Sequence, residues 1–367
     1  MSKARYVMIG GFLGAGKSTS ILQIAKQLST RYKVGLITND QGASLVDTAT
    51  FTAGGFAVEE ISGGCFCCRF TSLMEAAQKL QKETTPDIFI AEPVGSCTDL
   101  IATVSYPLRR IYGNEFSIAP LSVVVDPIRA MRILDLQPGK KFSPKVSYIY
   151  LKQLEEADII VINKTDLLEE QQLISLQKTL EERFPNAEII SVSARHSHGV
   201  EQWIEEMMKR ELGTATPMEI DYKIYAEGEA LLGWLNCSVK LKSDYHFDGN
   251  DFLQKISQNI KENLPQTEIA HLKMTLLPDG GNGQIGVVNL VRNDGVPEVS
   301  QTLLDYLKSG DLTVNLRAEG DAQLLYDTVQ KVLSEYQQQE NIEVIFEHKE
   351  FFQPSEPVPT YRDKQAN

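Results

Sequence analysis

The chain has 367 residues, 42% hydrophobic and 23% charged, enough for a sizeable core and long enough that two domains are the default. No run approaches the roughly 18 apolar residues of a membrane span, and a net charge of −13 argues against a nucleic-acid partner, which needs an excess of Lys and Arg. Five cysteines, an odd number with three crowded at positions 65, 67 and 68, point with the missing signal peptide to a reducing, cytoplasmic compartment and free thiols.

The first predicted strand, Tyr6 to Ile9, delivers Gly10-Gly11-Phe12-Leu13-Gly14-Ala15-Gly16-Lys17-Ser18-Thr19, and a helix-like pattern with Ile21, Ala25 and Leu28 follows. The pattern G-x-x-x-x-G-K-S/T is matched by Gly11, Gly16, Lys17 and Ser18. Glycines let successive N–H groups converge on anionic oxygens at the start of a helix, where the dipole also favours negative charge. The loop from Gly14 through Ala15 and Gly16 to Thr19 would cradle phosphates, with Lys17 reaching the β- and γ-phosphates and the Ser18 hydroxyl ligating magnesium.

Val34 to Thr38 predicts a buried strand that exits at Asn39-Asp40-Gln41-Gly42, and residues 43–56 read as a mobile loop. Next stands Gly63-Gly64-Cys65-Phe66-Cys67-Cys68. Three thiols within four positions can converge on one soft cation. A fourth ligand must come from elsewhere, with Glu60, Cys97, His196 and solvent as candidates. Buried apolar cysteines and a Cys65–Cys68 redox pair are the competing readings.

A helix is expected from Thr71 to Glu83, then a core strand, Asp87 to Ala91, that presents Glu92-Pro93-Val94-Gly95 at its carboxyl end. Glu92 is placed to act on magnesium or the attacking water, and Gly95 to offer its N–H to the γ-phosphate. Leu121 to Asp126 is another core strand, and Ser143-Pro144 opens a helix to about Glu156. The strand Asp158 to Ile162 leads into Asn163-Lys164-Thr165-Asp166. Here the Asp166 carboxylate can accept from guanine N1–H and N2–H₂, a donor pair adenine lacks, while Lys164 packs along the nucleotide. After a helix from Leu167 to Phe184 and a strand from Glu188 to Val192, Ser193-Ala194 stands where a backbone N–H could hold guanine O6.

Past a linker at 211–217, strands are expected at Ile220 to Ala226, Trp234 to Leu241, Ile269 to Leu276 and Ile285 to Val291. Helices are expected at Asn250 to Asn263, Val299 to Ser309 and Ala322 to Tyr336. The expected fold class is α/β: a P-loop GTPase domain with a mostly parallel sheet over residues 1–212, then a smaller α+β, ferredoxin-like domain over 219–350. Residues 351–367, with several prolines, read as a flexible tail.

With those motifs in place, the chain resembles the CobW-like family of P-loop GTPases, more distantly related to the metal-centre maturation GTPases HypB and UreG. The resemblance covers the first 210 residues. It implies GTP and magnesium binding, slow GTP hydrolysis, and a transition metal, often zinc, on the C-x-C-C thiols. Carried over, Lys17 and Ser18 are the phosphate and magnesium contacts. Asp40 and Glu92 become magnesium-shell or water-positioning acids, Cys65, Cys67 and Cys68 metal ligands, and Asn163 and Asp166 guanine readers. Two departures are Asp40 where the family commonly has glutamate, and Gly63 where it has asparagine. A His-rich storage stretch is also missing, which favours a single-ion switch over bulk storage. The implied role is a metallochaperone or cofactor-maturation factor acting on a client metalloprotein or cofactor-dependent enzyme, with homodimerisation left open. The alternatives are a GTPase that remodels a metallo- or corrinoid enzyme around a structural metal, and a small-molecule kinase.

Overall fold

The computed structural model describes residues 3–39, 46–214, 216–281 and 283–365. They divide into one unit drawn from residues 3–39, 54–228 and 356–365 and another drawn from residues 46–53 and 229–355. Along the chain come β1 (Ala4–Gly10), α1 (Lys17–Leu28), β2 (Val34–Asn39), α2 (Val46–Ala53), β3 (Ala57–Ile61), α3 (Phe70–Glu83) and β4 (Ile88–Glu92). There follow α4 (Tyr106–Tyr112), β5 (Phe116–Ile118), β6 (Ser122–Val125), α5 (Pro127–Ile133), α6 (Pro144–Glu155), β7 (Ile159–Ile162), α7 (Glu170–Arg183), β8 (Glu188–Ser191), α8 (Val200–Lys209) and α9 (Tyr222–Glu229).

The first unit is built on a parallel sheet in the order β3-β2-β4-β1-β6-β7-β8, with β5 also paired to β1. Its central strands are continuous apolar runs, Ile159 to Ile162 being fully buried, as a sheet covered on both faces requires. The strand order reverses beside β1. Ligands of open α/β sheets gather at the carboxyl ends of the strands flanking such a reversal, and the motif residues of Gly10 to Ser18 emerge there. At α6 the expected cap is present, the Ser143 hydroxyl accepting from the Val146 N–H at 3.5 Å with Pro144 in the first turn.

The second unit adds β9 (Leu232–Phe247), α10 (Gly249–Glu262), β10 (Glu268–Pro278), β11 (Gly286–Leu290), β12 (Glu298–Gln301), β13 (Leu307–Glu319), α11 (Ala322–Glu340) and β14 (Glu343–Phe352). Its antiparallel sheet runs β12-β11-β10-β13-β9-β14. Without the β11–β12 hairpin, the four remaining strands and two helices have the chain order and strand order of a ferredoxin-like sandwich. Phe252, Ile256 and Ile260 of α10 and Leu325, Val329 and Leu333 of α11 share one apolar core with Leu235, Val239, Met274 and Leu316.

Four local expectations change. Ile220 to Ala226 is helical, not a strand: Asp221 caps it by accepting from the Lys223 and Ile224 N–H groups, and Tyr225 is buried. Val299 to Ser309 is no helix. Leu303 and Leu307 have helical spacing and are both buried, but they flank the turn from β12 to β13 while Leu304 is exposed. Within 43–56, residues 46–53 form α2, which packs on β10 and β13 and buries Phe51. The segment read as a tail is also placed. β14 runs to Phe352, and beyond it the Thr360 N–H donates to the Cys67 carbonyl at 2.8 Å and Asp363 pairs with Arg110. Tyr361 meets Phe70 edge-on. No helix among the described residues is long and apolar enough to cross a membrane.

Candidate functional site

Gly16 caps α1 with φ +95°, and a Cβ there would stand 2.5 Å from the Asn163 amide, so only glycine permits this approach. Lys17 is buried, its Nζ donating to the Gly11 carbonyl at 2.9 Å and lying 4.0 Å from Glu92. The Ser18 hydroxyl donates to Glu92 Oε1 at 3.1 Å. The end of β4 and the first turn of α1 thus bring three predicted residues together: a cation, a hydroxyl and an acid. Such a set fits a phosphate-bound divalent cation. Gly95 closes on the same loop, since a Cβ there would be 3.1 Å from the Leu13 nitrogen. Asp40, expected beside them, lies outside the described residues.

At the other end of the loop, Asn163 is buried and acts as a brace. Its amide donates to the Ala15 carbonyl at 3.1 Å, and its oxygen accepts from the Ala194 N–H at 3.1 Å. Lys164 donates to the Gly14 carbonyl at 2.8 Å and to Asp126 at 2.9 Å. Ser193 donates to Asp166, whose carboxylate stays partly exposed. His196, a candidate fourth metal ligand, stands 4.0 Å from Asp166 and so belongs to this end.

The three predicted thiols meet. Their sulfurs are 2.9 Å (Cys65–Cys67), 3.1 Å (Cys65–Cys68) and 3.7 Å (Cys67–Cys68) apart. Sulfurs about 2.3 Å from a tetrahedral zinc stand roughly 3.8 Å from one another, so small outward rotations would seat a soft ion. Cys67, Cys68 and Cys97 hydrogen-bond to the Cys65 sulfur and hold its pKa well below the usual thiol range. The same bonding to Cys65 pushes Cys67 well up and Cys68 to about 11. Binding an ion must therefore displace thiol protons.

Asn39, at the end of β2, fastens this loop. It accepts from the Phe66 N–H at 2.9 Å and donates to the Ile61 and Gly64 carbonyls at 2.9 and 2.7 Å. Asn39→Ala orphans these buried groups and is expected to cost about 2 to 3 kcal/mol in urea unfolding. A loss below about 0.5 kcal/mol would show that the loop is held elsewhere.

The loop after β4 is held from α6 and the residue after it. Gln153 donates to the Gly95 and Cys97 carbonyls at 3.0 and 2.8 Å. Buried Glu156 accepts from the Thr98 hydroxyl at 3.1 Å and the Ile101 N–H at 3.2 Å. Burial, with the Asp99 charge in second place, pushes the Glu156 pKa up to about 8. The folded state therefore keeps this proton over a range where the unfolded chain loses it. Its stabilising effect is complete below about pH 4.5 and vanishes as pH rises through about 8. Glu156→Gln should remove that dependence, gaining about 2 kcal/mol over the wild type between pH 6 and pH 8. Parallel urea-unfolding curves for the two proteins at both pH values would contradict it.

Sequence reasoning assigned no role to Asn39, Asp126 or Gln153. Asn39 directly follows the predicted strand Val34 to Thr38 and Asp126 ends the predicted strand Leu121 to Asp126, positions that could have marked them. Gln153 carried no such signal.

Residues 5–191 match the family model described as CobW/HypB/UreG, nucleotide-binding domain. The chain is similar to the zinc chaperone YeiR of Escherichia coli (strain K12), 29% identical over 162 residues, covering 43% of this chain and 46% of that protein. It is also similar to the zinc chaperone CobW of Sinorhizobium sp, 28% identical over 186 residues, covering 44% and 51%. The chain thus spans about half the length of the curated relatives it matches. Among solved structures, Zn(II)-bound YjiA GTPase from E. coli is 13% identical over 90% of this chain and 99% of that one, with a TM-score of 0.38. The family model covers just over half of the chain, and by that measure the protein belongs to the CobW/HypB/UreG family through its nucleotide-binding domain.

Proposed function

We propose that the protein is a GTP-hydrolysing metallochaperone of the cytoplasm that loads a client metalloprotein, with zinc or a similar soft ion as its cargo. The observation that carries this reading is the Glu92–Cys97 segment. Its first residue meets Ser18, Gly95 closes on Leu13, and Cys97 touches the thiols. One short loop thus connects the phosphate end with the metal end.

Lys17, Ser18 and the N-terminus of α1 would hold the phosphates of GTP, and Ser18 with Glu92 would hold magnesium, with Asp40 as a second acid. When bound, magnesium supplies neutralisation of charge developing on the phosphates. Lys17, which donates to the Gly11 carbonyl of the phosphate loop, would exchange that partner for a phosphate oxygen. Gly95 would offer its N–H to the γ-phosphate, and Glu92 would orient the attacking water. Asp166 would read guanine through paired acceptors, while Asn163 and Lys164 tie its segment to the phosphate loop at Ala15 and Gly14. Loss of the γ-phosphate frees Gly95, and the order of the thiol loop changes with it.

The test is zinc affinity measured by competition with a chromophoric chelator, with a non-hydrolysable GTP analogue or with GDP. A tenfold or greater difference, about 1.4 kcal/mol of coupling, is the expected result. Equal affinities would reject it. Burial of Cys65 and Cys67 favours the second reading, a remodelling GTPase with a structural metal. Loss of folding in Cys67→Ser, without a selective loss of metal transfer, would select that reading.

A further inference from the structure

Three thiols from one loop leave a tetrahedral ion one position short. Cys97 is the buried sulfur nearest to completing it. It comes from outside the Cys65–Cys68 run, is 1% exposed, and its thiol hydrogen-bonds to those of Cys65 and Cys67. The sulfurs that all lie within 4.8 Å of one another are those of Cys65, Cys67 and Cys68, so Cys97 touches two members of a compact triad.

Several contacts position the backbone around Cys97. The Cys97 N–H donates to the Val94 carbonyl at 2.9 Å, and Gln153 holds its carbonyl. Two residues on, Asp99 has φ +64°, a conformation costly for a residue with a side chain, and it is kept there by Arg362 and by the Tyr222 hydroxyl at 2.6 Å. Such a set of restraints fixes where the Cys97 side chain starts. Gly95, two residues before it, is packed on Leu13 of the phosphate loop.

We infer that Cys97 is a fourth, nucleotide-responsive thiolate ligand, closing a four-sulfur site when the Gly95–Cys97 loop is drawn towards the phosphates and leaving an open three-sulfur site when it is released. This rests on the metallochaperone reading and adds to it the identity of the exchangeable ligand. Closing four sulfurs on one ion requires Cys97 to approach Cys68, and the loop that would move it is the one Gly95 anchors. Each thiol that joins the ion loses its proton to solvent, with no oxidant or reductant involved.

The experiment is a titration of the full-length, reduced, metal-free protein with Co²⁺ under anaerobic conditions, reading the thiolate-to-cobalt charge-transfer absorbance. Its intensity scales with the number of bound thiolates. With a GTP analogue the wild type should show four thiolates, and Cys97→Ser should lose about a quarter of the intensity and bind zinc at least tenfold more weakly. Cys237→Ser, in β9 of the other unit, should leave the spectrum unchanged. An unaltered intensity in Cys97→Ser would overturn the assignment of Cys97 alone. Absence of any charge-transfer band in the wild type would overturn the metal reading as well. X-ray absorption of the zinc-loaded wild type reads the same point without a variant. Four sulfur neighbours support the inference, and three sulfurs with one lighter atom contradict it.

Discussion

Asp166→Asn is expected to weaken GTP binding by about three orders of magnitude, close to 4 kcal/mol, while raising affinity for xanthosine triphosphate. The carboxylate is partly exposed, fixed by the Ser193 hydroxyl and 4.0 Å from His196, where the guanine base is proposed to bind. With two acceptors it matches the N1–H and N2–H₂ donors of guanine. An asparagine offers one acceptor and one donor, and the donor then faces the guanine amino group, leaving both unpaired. Xanthine carries an oxygen at that position, which accepts from the same amide. Calorimetric titration with the two nucleotides checks the exchange, and undiminished GTP affinity would remove Asp166 from the base pocket.

Glu92→Gln should lower the GTP hydrolysis rate by about 10² to 10³, or roughly 3 to 4 kcal/mol of transition-state stabilisation, with a much smaller effect on nucleotide affinity. The buried carboxylate lies 3.1 Å from the Ser18 hydroxyl and 4.0 Å from the Lys17 ammonium. Glutamine preserves its size and one acceptor but removes the charge proposed to attract magnesium and polarise water. The variant should therefore need more magnesium for half-maximal activity. Single-turnover hydrolysis across a magnesium series provides the measurement. A rate within a factor of three of the wild type would place the catalytic acid elsewhere.

Much of the first unit was legible because its signals are local. Apolar runs mark buried parallel strands, and Gly11 to Ser18 encode a loop whose function depends on neighbours in sequence. The thiol triad is legible for the same reason. What escaped depends on distant partners: Asn39 bonds across 22 to 27 residues, Gln153 across 56 to 58, and Lys164 reaches Asp126 across 38. No periodicity records such pairs. His196 and Cys97 could not be ranked as ligands from spacing, yet the fold sends one to Asp166 and the other to the thiols. In the second unit, Leu303 and Leu307 mimicked a helix because the connection from β12 to β13 buries residues at similar spacing.

The segment after β14 also gives the first unit a history. Thr360 caps the carbonyls of Cys67 and Cys68, and the Val358 N–H donates to the Cys68 sulfur, yet Thr360 follows Cys68 by 292 residues. At typical rates of synthesis that separation is on the order of tens of seconds. A chain emerging from the ribosome therefore exposes its thiol loop long before the segment that caps it exists, with residues 229–355 of the second unit translated in between. Newly made protein meets cellular metal and oxidants in a different state from the finished fold. A metal offered during translation would consequently meet these sulfurs with different access from one offered to the mature chain.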